Sequence, residues 1–127
     1  MIIVADDDAD QRLSLRLALE VAGYAVREAA NGGEALALQR QREAVVLITD
    51  IFMPESDGFE AIAAFRRDFP QTKVIAVSGG GSLATQDYLE SARLIGVDAT
   101  LRKPFEIEAL LQLLKEMRPA GSGARAN

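Results

Sequence analysis

Short β-branched runs alternate with longer Leu- and Ala-rich segments along most of the chain, and this alternation restricts the fold more than any other feature. It is the pattern of βα units wound around a parallel sheet. Strands are predicted near residues 2 to 5, 25 to 28, 45 to 49, 73 to 77 and 98 to 102. Helices are predicted over roughly 9 to 22, 33 to 41, 57 to 68, 84 to 95 and 106 to 117. The expected fold class is α/β, a doubly wound five-stranded parallel sheet. With 127 residues, 49% of them hydrophobic, the chain suits one domain with one adequate core, assigned to residues 1 to 118. The tail from 119 to 127 has no apolar pattern and is expected to be flexible.

The first helix is the one place where pattern misleads. Leu13, Leu15, Leu17 and Leu19 alternate with Ser14, Arg16 and Ala18 as a strand would. Leu, Ala and Arg are strong helix formers, however, and Gly23 stands where a glycine ends a helix. As a helix the segment carries Arg12, Arg16 and Glu20 on one polar stripe, with an apolar arc wider than a single sheet face needs. Partly exposed leucines account for that arc; a homodimer face including Leu15 and Leu19 is the sharper reading.

Acidic residues end two of the predicted strands: Asp6, Asp7 and Asp8 follow Ile2-Ile3-Val4-Ala5, and Asp50 follows Val45-Val46-Leu47-Ile48-Thr49. Adjacent carboxylates repel, so holding them together calls for a cation or a protonation role. Such hard oxygen ligands suit Mg²⁺ or Ca²⁺. The chain has no cysteine and no histidine, which excludes disulfides, thiolate sites and the usual zinc sites. A net charge of -5 and a pI near 4.7 argue against direct binding of nucleic acid or anionic membrane. The start runs straight into charge, without a signal-peptide core or a membrane span, and the expected location is cytoplasmic.

In a doubly wound sheet, ligands gather beyond the carboxyl ends of the strands. Those ends carry Asp6, Asp7, Asp50, Ser78 and Lys103. Each has a plainer reading: an Asp after a strand is usually a cap or turn residue, Ser78 before three glycines suits a turn, and Lys103 suits a solvated charge. Asp10 fits the capping role better than a site role. Convergence from four strand ends weighs against the plain readings holding together.

Over residues 2 to 118 the chain resembles the receiver domain of two-component response regulators, CheY-like in type. Ile3-Val4-Ala5-Asp6-Asp7-Asp8 is similar to the family's first strand and acid pair, and Asp50-Ile51-Phe52-Met53-Pro54-Glu55-Ser56-Asp57-Gly58 to its phosphoacceptor loop. Val77-Ser78-Gly79 matches the hydroxyl residue and small neighbour after strand four, and Gly96 to Phe105 the segment ending in Lys103-Pro104-Phe105. The resemblance implies a flavodoxin-like fold with strand order 2-1-3-4-5. It also implies a phosphoprotein in a phosphorelay, with Asp50 as nucleophile taking a phosphoryl group from a phosphohistidine on a sensor kinase or histidine phosphotransfer protein. Asp7, Asp50 and the backbone carbonyl of Phe52 would bind Mg²⁺, and Asp6 would hold a metal-bound water. Lys103, the Ser78 hydroxyl and the Gly79 amide would receive the phosphoryl oxygens, with a cis Lys103-Pro104 bond aiming the ammonium. Phe52 and Gly80 would border the path of hydrolytic water. Such a domain acts on itself rather than on a free substrate, and would signal to a target protein through helix four, strand five and helix five.

Two departures from the family pattern bear on switching, which the family couples to the hydroxyl residue and an aromatic in strand five. Thr100 takes the place of that aromatic, and Gly79-Gly80-Gly81-Ser82 makes a permissive loop after Ser78 that is expected to carry the conformational change instead. With no output domain in the sequence, a stand-alone regulator is expected; the receiver part of a larger regulator and a pseudo-receiver that binds without phosphorylation are the other readings. A haloacid-dehalogenase-type phosphatase needs a further acidic pair, for which only Glu106 and Glu108 are available. A P-loop nucleotide binder is a weaker reading still, because Gly79-Gly80-Gly81-Ser82 lacks the Gly-Lys-Ser/Thr ending.

Overall fold

The computed structural model describes residues 1–51, 58–79, 90, 92–93 and 95–117. Five parallel strands, β1 (Ile2–Ala5), β2 (Val26–Ala29), β3 (Val46–Asp50), β4 (Lys73–Ser78) and β5 (Ala99–Arg102), form one sheet in the order β2-β1-β3-β4-β5. Among the described residues the continuous helices are α1 (Ala9–Val21), α2 (Gly32–Gln41), α3 (Gly58–Asp68) and α4 (Ile107–Glu116), the last being the fifth helix of the sequence expectation. Every described element falls within a residue or so of its predicted span. The expected helix over 84 to 95 lies largely outside the described residues; Glu90, Ala92, Arg93 and Ile95 are helical. Arg118 and the tail from 119 to 127 lie outside them as well.

Alternation along the strands divides the core into two layers. Ile3, Ala5, Leu47, Val74 and Ala76 point to one face, where they meet Ala35 of α2 and Ile62 and Phe65 of α3. Ile2, Val4, Val46, Ile48, Ile75 and Val77 point to the other, against Leu19 of α1 and Leu110 and Leu114 of α4. The three middle strands are covered on both sides, which is why they read as unbroken apolar runs.

α1 is a helix despite its strand-like leucine alternation. Its end is a left-handed glycine turn: Gly23 has φ +101, the Gly23 N–H donates to the Glu20 carbonyl at 3.0 Å, and the Tyr24 N–H donates to the Leu19 carbonyl at 3.0 Å. The suggested self-association face is corrected here. Leu19 is 0% exposed and Leu15 packs partly buried beside it, because both face the sheet. The exposed apolar stripe of α1 is instead Leu13, Leu17 and Val21.

The Arg12–Arg16–Glu20 stripe fastens α1 to its neighbours. Arg12 Nε and Arg16 Nη1 donate to the two carboxylate oxygens of Glu28 on β2, at 2.8 and 2.6 Å, while Arg12 Nη1 donates to the Asp6 carbonyl at 2.6 Å. Asp8, rather than Asp10, caps the helix, its Oδ1 accepting from the Asp10 and Gln11 amides at 3.0 and 3.1 Å. Asp10 sits in the first turn, where negative charge favours the helix dipole. At the opposite, amino-terminal end of the sheet, buried Gln39 joins Thr72 and Ala44. Gln39 Nε2 donates to Thr72 Oγ1 at 2.9 Å, Thr72 Oγ1 to the Ala44 carbonyl at 2.8 Å, and the Ala44 amide to Gln39 Oε1 at 2.9 Å.

Candidate functional site

Strand register brings the sequence-predicted residues to one edge. Ala5 lies beside Thr49, so Asp6 and Asp7 emerge next to Asp50; Asp50 pairs with Val77, so Ser78 emerges one step beyond; and Ser78 pairs with Arg102, so Lys103 follows directly. The Lys103 N–H donates to the Ser78 carbonyl at 2.8 Å and prolongs that last ladder.

Carboxylate oxygens of Asp6, Asp7 and Asp50 lie within 4.8 Å of one another. Asp6 is buried, Asp50 half-buried and Asp7 exposed, so the cluster is open on one side. Asp6 Oδ1 accepts from the Asp8 amide at 2.9 Å, which orients the carboxylate within the turn. An all-oxygen, anionic set at this spacing fits a hard divalent cation. Phe52, whose backbone carbonyl completes the expected set, lies outside the described residues, as do the other residues of the 52 to 57 loop.

Lys103 spans the cluster, its Nζ donating to Asp6 Oδ2 at 3.1 Å, to Asp50 Oδ2 at 3.3 Å and to Gln11 Oε1 at 2.7 Å. The ammonium, which has no acidic neighbour in sequence, is thus compensated through space. Burial works to lower its pKa, but attraction by Asp50, the hydrogen bond to Asp6 and the remaining contacts outweigh burial and hold it above the ordinary lysine value. The Lys103-Pro104 bond is cis, as expected. A Cβ built on Gly79 would sit 3.9 Å from Lys103 Cδ, so this small residue closely flanks the lysine stem.

Ser78 is fully buried at the end of β4, and its Oγ finds no hydrogen-bond partner among the described residues. A buried hydroxyl left unpaired costs about 1 to 3 kcal/mol, and a ligand oxygen at the sheet edge would recover it. Thr100 lies on β5 beside Ala76, and its Oγ1 accepts from Arg93 Nη2 at 3.1 Å. Of the loop expected to move, Gly79 to Ser82, all but Gly79 lie outside the described residues. Gln11 and the Arg12–Glu28 bracket carry little signal in the sequence beyond the position of Gln11 in the first turn after the acids and the polar stripe through Arg12. A groove between α1 and the turn after β5 reaches Asp6 and Lys103 and is lined by Gln11, Ser14, Leu15 and Phe105 among others.

A five-stranded parallel sheet with an acidic triad, a lysine and a buried hydroxyl at its carboxyl edge defines a doubly wound α/β domain with its polar site beyond the strand ends. The response regulator receiver domain model matches residues 2–115, and the chain belongs to that family. It is 34% identical over 116 residues to the response regulator receiver protein CpdR of Brucella abortus, covering 91% of this chain and 94% of that protein. It is 35% identical over 119 residues to the sensor kinase CckA of the same organism, covering 92% of this chain but 12% of CckA. The receiver domain of NtrX from Brucella abortus superposes with a TM-score of 0.86 at 26% identity, over 92% of this chain and 97% of that one. Among the described residues, no helix is long and apolar enough to cross a membrane.

Proposed function

We propose that the chain is the phosphoacceptor of a two-component relay, taking a phosphoryl group from a phosphohistidine onto Asp50 and signalling by protein contact in the cytoplasm. The observation that carries this is the arrangement around one carboxylate: Asp6 and Asp7 on one side, Lys103 Nζ 3.3 Å from Asp50 Oδ2, and the buried Ser78 hydroxyl on the neighbouring strand end. An Asp50 oxygen attacks phosphorus, a P–O bond forms as the P–N bond breaks, and the electron pair of that bond returns to the partner's imidazole. The donor supplies the histidine that this chain lacks.

Asp7 and Asp50, with the Phe52 carbonyl, would hold Mg²⁺, and Asp6 would hold a water of its shell. Bound there, Mg²⁺ would offset the charge of two anions brought together. Lys103 leaves its contact with Asp50 to pair with a phosphoryl oxygen, and the Ser78 hydroxyl and Gly79 amide donate to others. The donor would be a sensor kinase or histidine phosphotransfer protein; the output surface would involve β5, the helix that precedes it and α4.

The test is intact mass after incubation with acetyl phosphate or phosphoramidate, with Mg²⁺ and with EDTA. A single Mg²⁺-dependent phosphoryl adduct is expected on the wild type and none on Asp50→Asn. An adduct of equal rate on Asp50→Asn would remove Asp50 from the role.

A further inference from the structure

Lys103 must remain aimed while the groups around it change partners, and one of its contacts is to a group that the proposed transfer does not use. Its ammonium has three hydrogens and, among the described residues, three acceptors: Asp6 Oδ2, Asp50 Oδ2 and Gln11 Oε1. The first two belong to the acidic cluster that a cation would draw on, and Asp50 is also the carboxylate that would be esterified. The amide oxygen of Gln11 lies outside that cluster, is not consumed, and makes the shortest of the three contacts at 2.7 Å.

Gln11 is itself held in place. Its backbone amide donates to the capping Asp8 Oδ1 at 3.1 Å, and the next residue, Arg12, is tied to the Asp6 carbonyl and to Glu28. The first turn of α1 is thereby fixed to the end of β1, and a helical side chain leans back toward the amino terminus, here toward Lys103. A lysine side chain has a flexible four-carbon stem and is not oriented by its own geometry, so a fixed acceptor contributes more to it than to a planar arginine.

We infer that Gln11 is a positioning residue that keeps the Lys103 ammonium directed at the phosphoryl group throughout transfer. This rests on the phosphoacceptor role proposed for Asp50 and extends that site by a residue from the first helix. Because Gln11 is exposed, the effect of losing the bond is modest: roughly threefold in the maximal rate of phosphorylation, in the range of a solvent-accessible charged hydrogen bond.

The experiment compares wild type, Gln11→Met and Gln11→Glu, with phosphoramidate as donor at saturating Mg²⁺. It reads the maximal rate, the half-saturating donor concentration, Mg²⁺ affinity by calorimetry and the urea midpoint. Gln11→Met keeps the reach and removes the acceptor; it should lower the maximal rate about threefold and leave Mg²⁺ affinity and the midpoint unchanged. Gln11→Glu keeps an acceptor and should restore most of the maximal rate, while its added negative charge raises the half-saturating concentration of the anionic donor. A wild-type or faster maximal rate in Gln11→Met, or equal slowing in both variants, overturns the inference and leaves the assignment of Asp50 intact. No adduct on the wild type overturns the assignment of Asp50 and this inference with it.

Discussion

Removing Lys103 should destabilise the metal-free protein far more than the Mg²⁺-bound one. In Lys103→Met, three carboxylates with oxygens within 4.8 Å lose the ammonium that contacts two of them at 3.1 and 3.3 Å. The Asp6 and Asp50 side chains are only 9% and 12% exposed, so water compensates them poorly. At an effective dielectric of about 20, each contact is worth about 5 kcal/mol of gross attraction, offset in part by the desolvation of the ammonium. Breaking a buried pair costs about 3 to 5 kcal/mol; because the lysine borders solvent, about 2 to 3 kcal/mol is expected here. With a urea m-value of about 1.5 to 2 kcal/mol/M, the midpoint in EDTA falls by about 1 to 2 M. Saturating Mg²⁺ should recover most of that loss and stabilise the variant more than the wild type, since a dication replaces the missing charge. A midpoint in EDTA within about 0.3 M of wild type, or equal stabilisation of both proteins by Mg²⁺, would refute this account of how Lys103 and the acidic cluster hold one another.

Against the opposing effect of burial, Asp50 and Asp6 hold the Lys103 ammonium above the ordinary lysine value, and this contributes to the alkaline behaviour of the metal-free protein. The folded state binds this proton more tightly than the unfolded chain, so the contribution is complete below about pH 10.4 and is lost as pH rises through the higher folded value. Urea midpoints measured from pH 9 upward should therefore converge between wild type and Lys103→Met, and parallel curves would contradict the pairing. On α1, Leu19→Ala should cost about 3 kcal/mol in chemical denaturation, as a fully buried leucine, whereas Leu17→Ser should change stability by less than about 0.5 kcal/mol. Equal losses at the two positions would mean that α1 is rotated on the sheet.

The fold was legible because each buried strand carries its own signal and each is short: Ile2-Ile3-Val4-Ala5 and Val46-Leu47-Ile48 are flanked by acids and turns that leave no other reading. The strand-end residues were legible for a related reason, since parallel pairing places consecutive strand ends on one edge and Asp50, Ser78 and Lys103 each close a run. What sequence did not show depends on side-chain direction in space. The sequence leaves Leu15 and Leu19 free to join an exposed face because a nearly all-apolar helix does not state which arc meets the sheet; the rotation is set by Arg12 and Arg16 reaching Glu28 on β2. Gln11 belongs to no recognisable motif, and only the cap at Asp8 and the path of the Lys103 stem bring its amide oxygen to the ammonium.

Gln39, Thr72 and Ala44 form a neutral, mutually satisfied cluster at the end of the sheet opposite the acids. Thr72 precedes β4 and Ser78 ends it, a separation of roughly 20 Å at about 3.3 Å per residue. At that range, and with no hydrogen-bond partner shared between the two ends among the described residues, substitutions should act independently. The domain therefore carries an insulated foundation: its robustness can drift, or be engineered, at Gln39 and Thr72 while the acidic edge evolves under separate constraints.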